Sequence, residues 1–99
     1  MKILIADHNK STIASINEFN PSFDVELGNP LAFDIDAVVS PANTMGIMNG
    51  GYDAVLRRYF GVGIEYTVRQ YFDKFKLDVG EAIAVITGHS KVEWLIVTP

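Results

Sequence analysis

Hydrophobic positions recur with two different periods along this chain, and the changes of period mark its elements. Residues 2–6 form an apolar run, which predicts a strand buried on both faces. Residues 9–18 set Ile13 and Ile16 three apart and predict a short helix, ended by Asn20-Pro21. From Phe23 to Leu27 apolar and acidic residues alternate, which predicts a strand with one wetter face, and Gly28-Asn29-Pro30 breaks it. Asp36 to Ser40 predicts a second buried strand. Over residues 52–60, Val55, Leu56 and Tyr59 share one stripe, which suits a helix. Gly61 and Gly63 interrupt, and helical spacing resumes over 64–76 through Ile64, Val68, Tyr71, Phe72 and Phe75. Asp78-Val79-Gly80 is a turn; Glu81 to Thr87 and Glu93 to Thr98 are further strands joined by Gly88-His89-Ser90-Lys91. The order β-α-β-β-α-α-β-β predicts an α/β fold, a mixed sheet with helices packed on it. No repeat or linker interrupts it, so residues 1–99 read as a single domain.

Composition narrows the function. A chain of 99 residues buries a core with little to spare, and 48% hydrophobic with 20% charged residues is ordinary for a soluble globular protein. The net charge of -4 and the scattered basic residues give no electrostatic reason to expect nucleic acid. An anionic small ligand is still accommodated, because backbone N–H groups at a helix start need no basic side chain. The absence of cysteine excludes disulfides, thiolate metal sites and a Cys nucleophile. His8 and His89 lack companion ligands in the sequence, so neither a metal nor a cofactor is expected. Nothing approaches the roughly 18–20 apolar residues of a membrane span. The short apolar run before Asp7 is no signal peptide, so the expected compartment is the cytoplasm, with no membrane partner. The carboxyl-terminal stretch Trp94-Leu95-Ile96-Val97-Thr98-Pro99 reads as a buried strand running into the chain end. Such an ending leads us to expect a longer protein, or a second chain or homo-oligomer that covers it.

Special backbone chemistry is concentrated between Asp36 and Asp53. A strand stops at Ser40-Pro41, a loop of small residues follows, and a helix begins after Gly50-Gly51. Loops at the carboxyl end of a strand and the start of a helix are where α/β proteins bind phosphorylated ligands. The Asn43 amide offers a donor and an acceptor suited to a diol, or it bonds its own turn. Gly46, Gly50 and Gly51 permit positive φ and close approach of a ligand, or simply lead into a helix. Asp53 falls in the first helical turn, where a carboxylate compensates the dipole, and it is also a candidate base. Among the remaining candidates, His89 reads as a lone exposed loop residue, and Glu65, Tyr66 and Arg69 as a solvated helix face. Tyr71, Phe72 and Phe75 read as core.

The segment Asp36-Ala37-Val38-Val39-Ser40-Pro41-Ala42-Asn43, followed by Asn49-Gly50-Gly51-Tyr52-Asp53, resembles the macro domain family. That family has a strand ending in Asn-Ala-Ala-Asn, a variable stretch, a Gly-rich run and a helix. Asp53 follows Asn43 by ten positions, as in MacroD-type members. Val79-Gly80-Glu81-Ala82 and the final strand resemble later family strands, so the likeness spans about residues 23–99. The Ser-Pro-Ala-Asn form looks most like a divergent branch found in phage and bacteria. The resemblance implies a three-layer α/β/α macro-domain-like mixed sheet that lacks its C-terminal strands and helix. It also implies binding of ADP-ribose or an ADP-ribosylated species. Asn43 would hold the distal ribose, with Ala42 beside it. The backbone of Asn49, Gly50 and Gly51 would wrap that ribose and the nearby phosphate, Tyr52 would lie against the ribose, and Asp53 would direct a water. Asn29 matches the position of the family's adenine-recognising aspartate. Asn43 and Asp53 are thus the implied catalytic residues if the protein is an ADP-ribosyl hydrolase.

This chain departs from the family at Ser40-Pro41, at Asn49 in place of a glycine, and at Asn29, which keeps an acceptor but loses the charge. The family's further strands and second Gly-rich loop have no counterpart. In the family those strands lie between the ones matching residues 23–27 and 36–40, and an open gap there would leave backbone groups unpaired at about 1–3 kcal/mol each, so a longer protein, a rearranged sheet or a second chain filling the space is expected. These departures keep a second expectation in play: a non-catalytic assembly protein on a macro-like scaffold that has lost ligand binding.

Overall fold

A computed structural model describes residues 2–99, and its contacts divide the chain into two units, Met1–Ile35 and Asp36–Pro99. The first unit is β1 (Leu4–Asp7), α1 (Lys10–Phe19), β2 (Asp24–Leu27) and a short 3-10 helix (Pro30–Ala32). Strands β1 and β2 pair in parallel, Leu4 opposite Asp24 through Asp7 opposite Leu27, and α1 crosses between them. Local chemistry starts α1: the Asn9 side chain accepts from the N–H groups of Ser11 at 2.9 Å and Thr12 at 3.3 Å. At its far end Asn20, the residue before Pro21, leaves the helical conformation. Burial on both faces of β1 was expected; instead all four of its residues are only half-buried. No described residue of this unit reaches full burial, because one crossing helix covers too little of a two-stranded ribbon.

The second unit holds the core. It comprises β3 (Ala37–Pro41), α2 (Gly51–Phe60), α3 (Gly63–Phe75), β4 (Ile83–Ile86) and β5 (Trp94–Thr98). The sheet order is β3-β5-β4, with β3 parallel and β4 antiparallel to β5. The register aligns Val38 with Leu95, Ser40 with Val97, and Val85 with Leu95, so these side chains share one face. All of them are buried, together with Leu56 of α2 and Ile64, Val68 and Phe72 of α3. The i, i+4, i+8 spacing of that α3 triplet is the stripe expected of a helix with one apolar face. Helix α2 packs on β3 and α3 packs on α2.

The opposite sheet face corrects the expectation of strands buried on both sides. Val39 is 53% and Ile86 60% exposed, and Trp94 is exposed as well. A continuous apolar run cannot say how many layers cover a strand, since it reads the same whether one face or two are covered. Among the described residues β2 pairs only with β1 and β3 only with β5. The strands thus form two separate sheets, one in each unit.

Candidate functional site

The site is built on the connection from β3 to α2. Ala42 extends the β3–β5 ladder by donating its N–H to the Thr98 carbonyl at 3.0 Å. Asn43, exposed, then folds the loop around itself. Its Oδ1 accepts from the N–H groups of Met45 at 3.0 Å and Ile47 at 3.2 Å, while its Nδ2 donates to the Ile47 carbonyl at 2.8 Å. The sequence left two roles for Asn43 open, and the turn-forming one is present. One Nδ2 hydrogen remains beyond those bonds, because a carboxamide carries two.

From there the loop runs onto α3. Gly46 has φ +70°, and a Cβ built on it would come within 3.1 Å of Phe72 Cδ2 and 3.3 Å of Arg69 Cγ. Only glycine satisfies both the left-handed backbone and that approach. Met48 is buried, and its N–H donates to Glu65 Oε2 at 2.6 Å. Glu65 Oε1 lies 3.6 Å from Arg57 Nε, which has no hydrogen-bond partner of its own. Glu65 is therefore no solvated surface residue: it joins the loop to α3 and faces α2. No sequence signal could have found it, since its partner is a backbone group in a distant loop.

Asn49 and Gly50 bring the chain out to solvent. Gly50 is the N-cap of α2, has extended backbone, and supplies no side-chain cap. Gly51 has φ +56°, and nothing lies within 4 Å of where a Cβ would stand on either glycine. The start of α2 is thus exposed and carries no side-chain cap, and helix starts of this kind attract anions. Tyr52, the next residue, is half-buried.

Asp53 points inward. It is 4% exposed, and its Oδ1 accepts the Ser40 hydroxyl, itself 1% exposed. Burial raises the Asp53 pKa above the ordinary carboxylate range, while the Ser40 hydrogen bond works in the other direction. Ser40 was not expected at the site; a small hydroxyl at an inward strand position is the one sequence feature that could have marked it.

Ala42, Asn43, Asn49 and Gly50 lie on this single connection, and Gly51, Tyr52 and Asp53 in the first turn of α2 that follows it. Asn29 belongs to the first unit, where its Oδ1 accepts the Leu31 N–H at 3.0 Å at the start of the 3-10 helix. His89, expected as a lone exposed residue, is half-buried in the β4–β5 turn. Its ring lies 4.7 Å from Tyr59 and 5.7 Å from Phe60. Phe72 is core as expected, whereas Phe75 is half exposed and stacks on Tyr71. Among the described residues no group of three or more His, Asp or Glu side chains could hold a metal ion. None of the described helices is long and apolar enough to cross a membrane.

No protein-family model matches the chain. An uncharacterized protein of Aquifex aeolicus (strain VF5) is 35% identical over 72 residues, which is 73% of this chain and 42% of that protein. Among solved structures, the macrodomain of Mycobacterium tuberculosis DarG superposes with a TM-score of 0.61 at 21% identity, over 71% of this chain and 46% of that one. The chain thus spans less than half the length of each of these two proteins. The superposition agrees with the strand, loop and helix order that the sequence predicted, and the chain has a mixed α/β, macrodomain-like fold.

Proposed function

We propose that this protein binds ADP-ribose or an ADP-ribosylated species, with the β3–α2 loop taking the distal ribose and the adjacent phosphate. The observation that carries this reading is the exposed, uncapped start of α2 at Gly50-Gly51, set directly after a loop that Asn43 folds. N–H groups at such a helix start complement a phosphate without any basic side chain. The remaining Nδ2 hydrogen of Asn43 serves a ribose hydroxyl. Ala42 and Tyr52 flank the sugar, and Asn49 contributes backbone. The macrodomain-like fold adds support.

Hydrolysis of an ADP-ribosyl bond is the finer variant, with Asn43 positioning the ribose and Asp53 directing water at the anomeric carbon. It requires the second carboxylate oxygen of Asp53 to reach a water, although the residue is buried and held by Ser40. A separate reading, an assembly protein without ligand, draws on one observation: the Asn43 amide oxygen is already used by two loop N–H groups.

Isothermal titration calorimetry with ADP-ribose tests the proposal. Saturable heat that disappears in Asn43→Ala supports binding. No heat at millimolar ligand from demonstrably folded protein overturns it in favour of the assembly reading. If hydrolysis is found and Asp53→Asn leaves its rate unchanged, the catalytic role of Asp53 fails while binding stands.

A further inference from the structure

We infer that Glu65 is a positioning residue for the β3–α2 loop, and that it acts by accepting the buried Met48 N–H rather than through its charge. The inference rests on the ligand-binding reading of that loop, and its test keeps the two apart.

Three observations within the second unit converge on it. First, the loop has two anchors of different kinds. Asn43 organises residues 43–47 from inside the loop, through bonds to Met45 and Ile47. Glu65 reaches the loop from another element, across 17 positions of sequence. Second, the anchor falls where the loop turns from α3 toward the start of α2. Gly46 lies against Phe72 and Arg69 of α3, the Met48 side chain is 1% exposed, and Gly50 caps α2. Met48 therefore fixes the height at which the chain leaves the core, and so the direction in which Asn49, Gly50 and Gly51 present their N–H groups. Third, the N–H of a buried residue needs an acceptor, and the 2.6 Å separation is that of a short, well-formed hydrogen bond. The second oxygen faces Arg57 Nε at 3.6 Å, too far for a hydrogen bond, so the ion pair is the looser of the two contacts.

Reach and charge separate cleanly in two conservative variants. Glu65→Gln keeps the length of the side chain and an acceptor oxygen, and loses the charge. Glu65→Asp keeps the charge at the first turn of α3, and is one methylene too short to reach Met48. ADP-ribose affinity by calorimetry and amide hydrogen exchange at Met48 are measured for the protein and both variants. The expected order is Glu65→Gln within about threefold of the parent, and Glu65→Asp weaker by about tenfold or more, with Met48 exchange accelerated only in Glu65→Asp. The reverse order, Gln impaired and Asp unaffected, assigns Glu65 to the helix dipole or the Arg57 pair and overturns the inference. Equal affinity in all three proteins overturns it as well. If the parent itself binds no ADP-ribose, the functional reading fails, and the exchange data alone decide the inference: unchanged Met48 protection in Glu65→Asp refutes it.

Discussion

Ser40 donates its hydroxyl to the carboxylate of Asp53, thirteen positions later, and both side chains are buried. The bond joins the end of β3 to the first turn of α2, and so closes the connection between them at its base. Everything assigned to ligand binding in the second unit lies on the arc that this pair closes. Two expectations for Asp53, dipole compensation and proton transfer, concern the helix and the ligand. The observed contact is with the strand.

Removing one partner of this pair should cost more than making it neutral. Ser40→Ala leaves a buried carboxyl without its donor, and a loss of about 1–3 kcal/mol is expected. Asp53→Asn retains an acceptor of nearly the same shape for the Ser40 hydroxyl, and the loss should stay below about 1 kcal/mol at neutral pH. Denaturant melts with unchanged m-values check both numbers.

The raised pKa of Asp53 fixes the sign of a pH effect. The unfolded carboxyl titrates near its ordinary 3.8 and the folded one higher, so between those values the folded state holds more protons. Stability from this group is fully present below the unfolded value and is lost as pH rises through the folded one. Asp53→Asn lacks that slope. The stability of the parent relative to Asp53→Asn should therefore fall as pH increases across that window and level off above it. A difference that grows with pH would reverse the sign and refute the burial argument.

Gly46 and Gly51 both have positive φ, but only Gly46 has neighbours in the way. Gly51→Ala should cost about 1–2 kcal/mol, the backbone penalty alone. Gly46→Ala adds overpacking against Phe72 and Arg69, typically about 1–3 kcal/mol more. Thermal melts of the two variants should place Gly46→Ala clearly below Gly51→Ala.

His89 Nδ1 accepts from the N–H groups of Lys91 at 3.1 Å and Val92 at 3.3 Å. Two donors aimed at one nitrogen require it to be unprotonated, so the neutral ring carries its proton on Nε2. Nitrogen-15 shifts of the imidazole should show that tautomer. His89→Ala removes the acceptor and the ring packed beside Tyr59 and Phe60, and should destabilise the β4–β5 turn by about 1–3 kcal/mol.

Much of the fold was legible in the chain because it is written in local patterns. Ile64, Val68 and Phe72 announce one buried stripe by spacing alone, and that stripe is buried. Asn20-Pro21 and Gly61 stop helices through their own backbone preferences. The loop after Ser40-Pro41 was located for the same reason, and so were the glycines that begin α2. Coverage of the strands was not legible: Val38 and Val39 are equally apolar, yet one is 5% and the other 53% exposed. Their difference depends on which sheet face α2 occupies, and hydrophobicity does not record that. The loop's partners were hidden for a related reason. Glu65 looks like any exposed carboxylate on a helix, and Ser40 like any small residue at a strand end. Each acquires its role from a group 17 or 13 residues away. The sequence by itself determined the order of the elements and the place of the loop, because both follow from interactions a few residues long. Only the tertiary structure decided what holds the loop, because those bonds exist only once β3, α2 and α3 have packed together.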